Sequence, residues 1–330
     1  MQRFKFAFLL IGVALLGVII METDIREAAL LVRQVGAGFV VIVGLYFAAF
    51  LIDTFTWQLT VPSAPLNGLW LYRFYQMRIA GEAFNNVIPA GSMGGEPVKA
   101  MLLKQHFGIA YREGVASLIL SKTINIVSLL VFLCVGFWLM LDADRLAATY
   151  KVVAGAGLGA FALGVVLFFL VQRFKITSLT GEWVSRGKLF EKINQVLNVV
   201  KDIDDRLVNF YTEQRLRLFS AFLFAFVNWL LGVVEIYYTM MFLGHPISFT
   251  DAWIIEAVAQ LVRSGTFFIP ASLGAQEGAF LIIGTAMTGS PTLGVAVAIV
   301  RRIREIIWII WGFGVYYLLK PNPDTTSLSD

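Results

Sequence analysis

Long apolar runs, repeated along nearly the whole chain, constrain this sequence more than anything else in it. They extend from Phe6 to Ile20, Val35 to Leu59, Gly114 to Leu141, Val152 to Val171, Leu218 to Leu243 and Pro291 to Leu319. A helix needs about 20 apolar residues to cross a bilayer core about 30 Å thick, so the runs read as membrane spans. The chain is 58% apolar and 15% charged over 330 residues, against about 45–50% and about 25% in a soluble domain. A water-soluble globule is excluded, and the expected fold is an all-α polytopic membrane protein. The Phe6 to Ile20 run follows Arg3 and Lys5 as a signal peptide would, but Met21-Glu22-Thr23-Asp24 offers no small-residue cleavage site. It therefore reads as a retained first helix. Trp57 and the aromatic residues at other span ends are expected to anchor at the membrane interface, with Asp53 interfacial beside Trp57.

Several chemistries drop out on residue counts. One cysteine, Cys134, permits neither a disulfide framework nor a thiolate-ligated metal. His106 and His245 each sit at the edge of an apolar run beside a turn residue, so no metal site and no cofactor are expected. The formal net charge of +4 is spread over loops that flank apolar runs, which is a topology signal and not a nucleic-acid footprint. From Gln172 to Arg217 the composition shifts to nine Lys or Arg and six Asp or Glu, with Leu, Ile and Val at helical spacing. This amphipathic segment, 172–217, is expected in the cytoplasm by the positive-inside rule, and both termini with it.

Two regions break the apolar pattern. The stretch from Leu69 to Ile88 carries Arg73, Arg78 and Glu82 and ends at Pro89 and Gly91; the stretch from Asp251 to Gly289 is cut at Pro270 and Gly274. Ile88-Pro89-Ala90 is followed by Glu96, and Ile269-Pro270-Ala271 by Glu277, with the same proline-to-glutamate spacing in both. Proline and glycine also mark ordinary turns, but the matched spacing and small-residue intervals favour a repeat. The expectation is one membrane domain, 1–330, with repeats at about 35–141 and 218–319. Two re-entrant broken-helix elements would enter from opposite sides, giving the inverted-repeat plan of transporters. Irregular backbone at membrane depth survives only against protein or a water-filled cavity, so such elements mark pathways. Gly94 and Gly95 permit close backbone approach, Pro97 suits the first turn of a new helix, and free N–H groups there with Lys99 could hold an anion. Ser248 and Asp251 read as a capping box.

Ionisable residues inside apolar spans are costly and mark function by default. Lys122 lies beside Asn125, Glu235 follows Asn228 by two helical turns, and Arg263 shares a helix with Glu256 and Gln260. Arg301, Arg302, Arg304 and Glu305 sit too deep in the last run for all to snorkel. Their four-residue spacing pairs Arg301 with Glu305, leaving Arg302 for a headgroup. The basic members outnumber the acids left over, so the residues alone call for an anionic ligand.

Asn86-Val87-Ile88-Pro89, Gly94-Gly95-Glu96-Pro97-Val98-Lys99, Pro270-Ala271-Ser272-Leu273-Gly274-Ala275-Gln276-Glu277-Gly278 and the basic last span together resemble the flippase-like membrane domain of lysylphosphatidylglycerol synthases. Val234-Glu235-Ile236-Tyr237, Gln276-Glu277-Gly278 and Arg301-Arg302-Ile303-Arg304-Glu305 bring it nearest the free-standing bacterial members associated with hopanoid biosynthesis. The synthases continue into a soluble aminoacyl-transfer domain, which this sequence does not include, and Ala271 and Ser272 stand where the family often has Gly-Gly. The resemblance implies a bacterial inner-membrane protein and does not imply lipid aminoacylation; with the acids divided between two loops and no HExxH or Asp-rich motif, no enzymatic activity is expected. It would move a polar or anionic lipid, in that subfamily a hopanoid or its precursor, alongside lipid-biosynthesis enzymes. Glu96 and Glu277 would gate or couple protons, and Gly94, Gly95, Lys99, Lys122, Glu235, Arg263, Pro270, Arg301, Arg302 and Glu305 would line the path. An integral membrane enzyme acting on a lipid or polyprenyl phosphate, and an ion or small-solute transporter, are the alternatives.

Overall fold

The structure is a computed structural model that describes residues 25–87, 94–173, 210–269 and 272–319. The first apolar run, the proline-bearing tips of both broken regions (Pro89 and Pro270 included) and most of the 172–217 segment lie outside the described residues. The described residues are helical with no strand. In chain order they form α1 (Ile25–Val35), α2 (Gly38–Leu59), α3 (Gly68–Val87), α4 (Glu96–Phe107), α5 (Tyr111–Leu141), α6 (Ala148–Arg173), α7 (Arg215–Phe242), α8 (Phe249–Gly265), α9 (Ala275–Thr288) and α10 (Pro291–Leu318). Helices are the expected answer for a chain solvated by lipid, because each satisfies its own backbone hydrogen bonds.

Among the described residues four helices are long and apolar enough to cross a membrane: α2, α5, α6 and α7. They coincide with the four uninterrupted runs after the first. With 28 residues, α10 extends about 42 Å and is long enough to cross, but four charges crowd its middle. By contrast α4 and α9, at 12 and 14 residues, reach only about 18 and 21 Å. Neither can cross a core of about 30 Å alone.

Local sequence explains the helix ends. At α8 the Ser248 side chain accepts from the Asp251 amide while the Asp251 carboxylate accepts from the Ser248 amide, the expected capping box. Helix α4 carries Pro97 in its first turn and stops at Gly108, whose φ of +68° suits glycine. Ser290 caps α10 ahead of Pro291.

Two quartets share a sequence of lengths. α2, α3, α4 and α5 run long, medium, short, long, at 22, 20, 12 and 31 residues; α7, α8, α9 and α10 do the same at 28, 17, 14 and 28. Their packing is reciprocal: α2 lies against α7, α10 packs on α3, and α5 packs on α8. Since lipid is as apolar as leucine, such packing depends on close approach and polar contacts, not on burial of apolar area from water. Gly95 shows how close: a Cβ there would sit 1.8 Å from the Gly81 carbonyl oxygen, so α3 and α4 meet backbone to backbone. Where α10 meets α3, a Cβ on Gly312 would lie 2.3 Å from the Ile79 oxygen.

The main core joins Phe132 of α5, Ile236 and Met240 of α7, Ile254 of α8 and Ile283 of α9. A second one holds Trp57, Phe74 and Leu103. This corrects the interfacial reading of Trp57, which is 1% exposed and donates its indole N–H to Ser117 Oγ at 3.2 Å. Its position at the end of an apolar run looks the same in the sequence whether the end meets headgroups or a neighbouring helix.

Candidate functional site

Between the two quartets lies a polar cavity of about 500 Å³, lined from α2, α3, α4, α5, α7, α8 and α10, with Phe161 of α6 and Ser272 at its edge. Its walls are ion pairs. On one side Glu96, at the start of α4, takes Lys99 one turn on at 2.8 Å and Lys122 of α5 at 3.3 Å. Asn85 of α3 steadies this corner by donating to Glu96 at 3.3 Å and accepting from the Gly95 amide at 2.7 Å. The free anion-binding N–H expected at this helix start is thus taken for Gly95, and Lys99 is buried in its pair. Nearby Asp53 of α2 pairs with Arg78 of α3 and accepts from Asn125 at 3.2 Å. Asp53 is therefore a cavity residue and not an interfacial one.

On the other side Arg301 of α10 reaches Glu256 of α8 at 2.6 Å and Glu235 of α7 at 3.6 Å. Gln260 donates to the same Glu256 at 2.7 Å. Arg304 pairs with Glu235 and stacks over Tyr46 of α2, 3.6 Å from the ring centroid. The Glu256 contact is a hydrogen bond and the Glu235 one a longer-range attraction, and the nearby opposite charges offset the cost of burying these ions.

The expected Arg301–Glu305 pair is not formed. Glu305 instead takes Arg302 at 2.8 Å and, more loosely, Arg263 of α8 at 3.8 Å. Arg302 also holds Glu277 of α9 at 2.5 Å, and Glu277 accepts from the Gly274 amide at its own helix start at 2.9 Å. Sequence spacing missed this because residues four apart on a helix meet only when tertiary partners do not outbid them, and α7 and α8 present two carboxylates to Arg301. In both quartets, then, the glutamate opening the short helix binds a cation of the long helix that follows: Glu96 with Lys122, Glu277 with Arg302.

The structure gathers Glu96, Lys99, Lys122, Glu235, Arg263 and Arg301 around the cavity. Glu277, Arg302 and Glu305 do not line it; they sit with Arg301 around a separate small pocket. Gly94 and Gly95 stand just ahead of α4, where Gly95 makes the close approach to α3, and Pro270 lies outside the described residues. Sequence reasoning did not assign a site role to Asp53, Arg78, Glu82, Asn85, Glu256, Gln260 or Arg304, all of which line the cavity. The signal was present: each is polar inside or beside an apolar run. Counting them overturns the expected cationic excess. Over the cavity and the cluster behind it, acids and bases come out level, seven of each, among the described residues.

Beside the polar cavity is an apolar crevice of about 850 Å³ between α5, α6, α8 and α9. The two share Ile126, Phe161, Ser264 and Phe267 in their linings, so they adjoin. Val153, Phe168 and Ile282 on the crevice side are exposed, as lipid-facing positions would be.

A helical membrane protein with an ion-paired cavity beside an apolar crevice is the class these features define. The chain belongs to the lysylphosphatidylglycerol synthase TM region family, whose pattern it matches over residues 5–312. It is similar to a UPF0104 membrane protein of Methanothermobacter thermautotrophicus, 23% identical over 93% of this chain and 92% of that one. It is also similar to a UPF0104 membrane protein of Pyrococcus horikoshii, 21% identical over 96% and 97% of the two chains. No solved structure matches it significantly.

Proposed function

We propose that this protein moves a polar lipid between the leaflets of a bacterial inner membrane. The observation that carries the proposal is the adjacent pair of chambers: a charged cavity amid helices long and apolar enough to cross a membrane, beside an apolar crevice that shares four of its lining residues. That shape suits an amphiphile, whose headgroup replaces water in the cavity while its chains stay in hydrocarbon. A free ion or small solute has no use for the crevice. Ligand pockets of about 300–1,000 Å³ are the usual range, and both chambers fall in it. Membership of a family named for a lipid-synthase membrane region supports the same reading.

The two quartets act as inverted repeats, with α3–α4 and α8–α9 as re-entrant elements. Matched helix lengths, reciprocal packing and the equivalent Glu96–Lys122 and Glu277–Arg302 pairs support this. Alternating access then comes from rocking one quartet against the other about the fixed ion pairs. Both termini and the 172–217 segment face the cytoplasm, and enzymes of lipid biosynthesis supply the cargo. A hopanoid or its precursor is one cargo to test.

Reconstitution into liposomes with fluorescent lipid analogues decides the matter. Protein-dependent loss of leaflet asymmetry, without lipid turnover and without ion conductance, is the expected result. Chemical conversion of the lipid would replace the proposal with the enzyme reading, and conductance without lipid movement with the channel reading.

A further inference from the structure

Two of the charged residues that line the cavity lack a close partner of opposite sign. The Glu82 carboxylate of α3 has only the amides of Asn85 and Asn86, both at 3.5 Å, and no cation within 4 Å among the described residues. Arg263 of α8 has only Glu305, at 3.8 Å, and that carboxylate already holds Arg302 at 2.8 Å. The other wall charges are committed: Asp53 to Arg78, Glu96 to Lys99 and Lys122, Glu235 and Glu256 to Arg301 and Arg304. An ion without a counter-ion is tolerated only where water reaches it. Glu82 and Arg263 are thus the wall charges that depend most on the cavity being open.

These two residues are also counterparts. Glu82 stands fourteen residues before Glu96, and Arg263 fourteen before Glu277, so each holds the same place on the medium helix of its quartet, with opposite sign. Equivalent positions beside a two-fold axis face each other, and opposite charges let them meet. Helix α3 packs on α2, α4 and α10, and α8 on α5, α6, α7 and α9, so what α3 and α8 share is the cavity wall. Arg263 acts on Glu82 together with Arg78, Lys99 and Lys122, and both Glu82 and Arg263 act on Tyr46 of α2. Arg78, Lys99 and Lys122 all belong to the quartet that carries Glu82. Of these four cations, Arg263 alone comes from the other quartet.

Resting on the reading of the quartets as inverted repeats that rock about a transport path, we propose that Glu82 and Arg263 are the two halves of a gate. They form a direct ion pair across the cavity in the state in which it is closed. In this structure the gate stands open, with the two charges unpaired on the wall of a cavity of about 500 Å³. Closing withdraws Arg263 from Glu305, which keeps Arg302, so no carboxylate is stranded. The attraction is weak across water and grows as the intervening space empties and the effective dielectric constant falls. Cargo between the two holds them apart, and its departure lets them meet.

The test uses the full chain, with two readouts. In liposomes, Glu82→Gln and Arg263→Gln should each slow lipid movement at least about tenfold, within the range of coupling between charges in contact. The neutral pair Glu82→Gln/Arg263→Gln should be no slower than the slower single. The exchanged pair Glu82→Arg/Arg263→Glu should return to within about threefold of the parent. Exchange within one quartet, Glu82→Lys/Lys122→Glu, should restore nothing. The second readout needs no cargo. Asn228→Cys, on the α7 wall of the cavity, in a Cys134→Ser background, reacts with a maleimide in micelles at a rate set by how often the cavity is open. Each Gln variant should raise that rate, and the Arg263 exchange should lower it again. Size-exclusion chromatography checks the fold; if the exchanged pair does not fold, the neutral pair decides. A neutral pair whose loss is the product of the two single losses, labelling insensitive to both Gln variants, or rescue by the Lys122 exchange would each overturn the gate. Coupled labelling in a parent chain that moves no lipid would sink the transport proposal alone. Lipid movement by the parent with no coupling in either readout would sink the gate alone.

Discussion

Arg301→Met removes the most heavily engaged cation of the site, and its cost can be worked from the geometry. Arg301 is 4% exposed, 2.6 Å from Glu256 and 3.6 Å from Glu235, with its guanidinium 5.0 Å from the Phe280 ring centroid. At an effective dielectric constant of about 20, unit charges at those separations attract by about 6 and about 5 kcal/mol. Most of this is offset by the desolvation of burying the ions, several kcal/mol each. Loss of the arginine is a different matter, because methionine fills the space while the acids remain. Glu235 still has Arg304, but Glu256 is left with only the Gln260 amide. The expected penalty is that of an uncompensated buried charge, about 3–5 kcal/mol. Arg302→Met should cost less, about 1–3 kcal/mol, since Glu305 retains Arg263 and Glu277 retains the Gly274 amide. SDS-titrated unfolding in micelles, followed by tryptophan fluorescence, measures both. Adding Glu256→Gln to Arg301→Met should recover most of the loss, with a coupling of about 2 kcal/mol or more. A penalty below about 1 kcal/mol for Arg301→Met, or a double variant whose cost is the plain sum of the singles, would refute the pairing.

Gly95→Ala places a methyl 1.8 Å from the Gly81 oxygen and should abolish monodisperse folded protein on size-exclusion chromatography. Gly44→Ala, in open space on α2, should be neutral or stabilise by up to about 1 kcal/mol. Glu96→Gln and Glu277→Gln should each stop lipid movement in liposomes while leaving the protein inserted; normal transport by both would make those glutamates purely structural. A cysteine at position 194, in a background where the exposed Cys134 is replaced by serine, should stay unlabelled by an impermeant maleimide applied to intact cells. Labelling from outside would reverse the topology.

What the sequence decided by itself was what depends on neighbours along the chain. Apolar length gave the helices and the solvent; Ser248 with Asp251, and Gly95 with Pro97, marked where helices start; and the paired Pro-to-Glu spacings marked the breaks. Motif content was local as well, and it led to the right family. What only the tertiary structure decided was which charge meets which. Arg301 was assigned to Glu305 by the four-residue rule, yet its partners lie on α7 and α8, and Glu305 went to Arg302 and Arg263. Asp53 and Trp57 read as an interface because both end an apolar run, and the fold buries one in an ion pair and the other against Ser117. The apparent surplus of cations vanished once Glu256, Glu82 and Asp53 were found on the same wall. In a low-dielectric interior an ion is stable only beside its counter-ion, so the charges dictate that partners be found. The sequence announces this requirement wherever a charge interrupts an apolar run. The identity of the partner is set by helix packing between residues far apart in the chain, and no local pattern carries it.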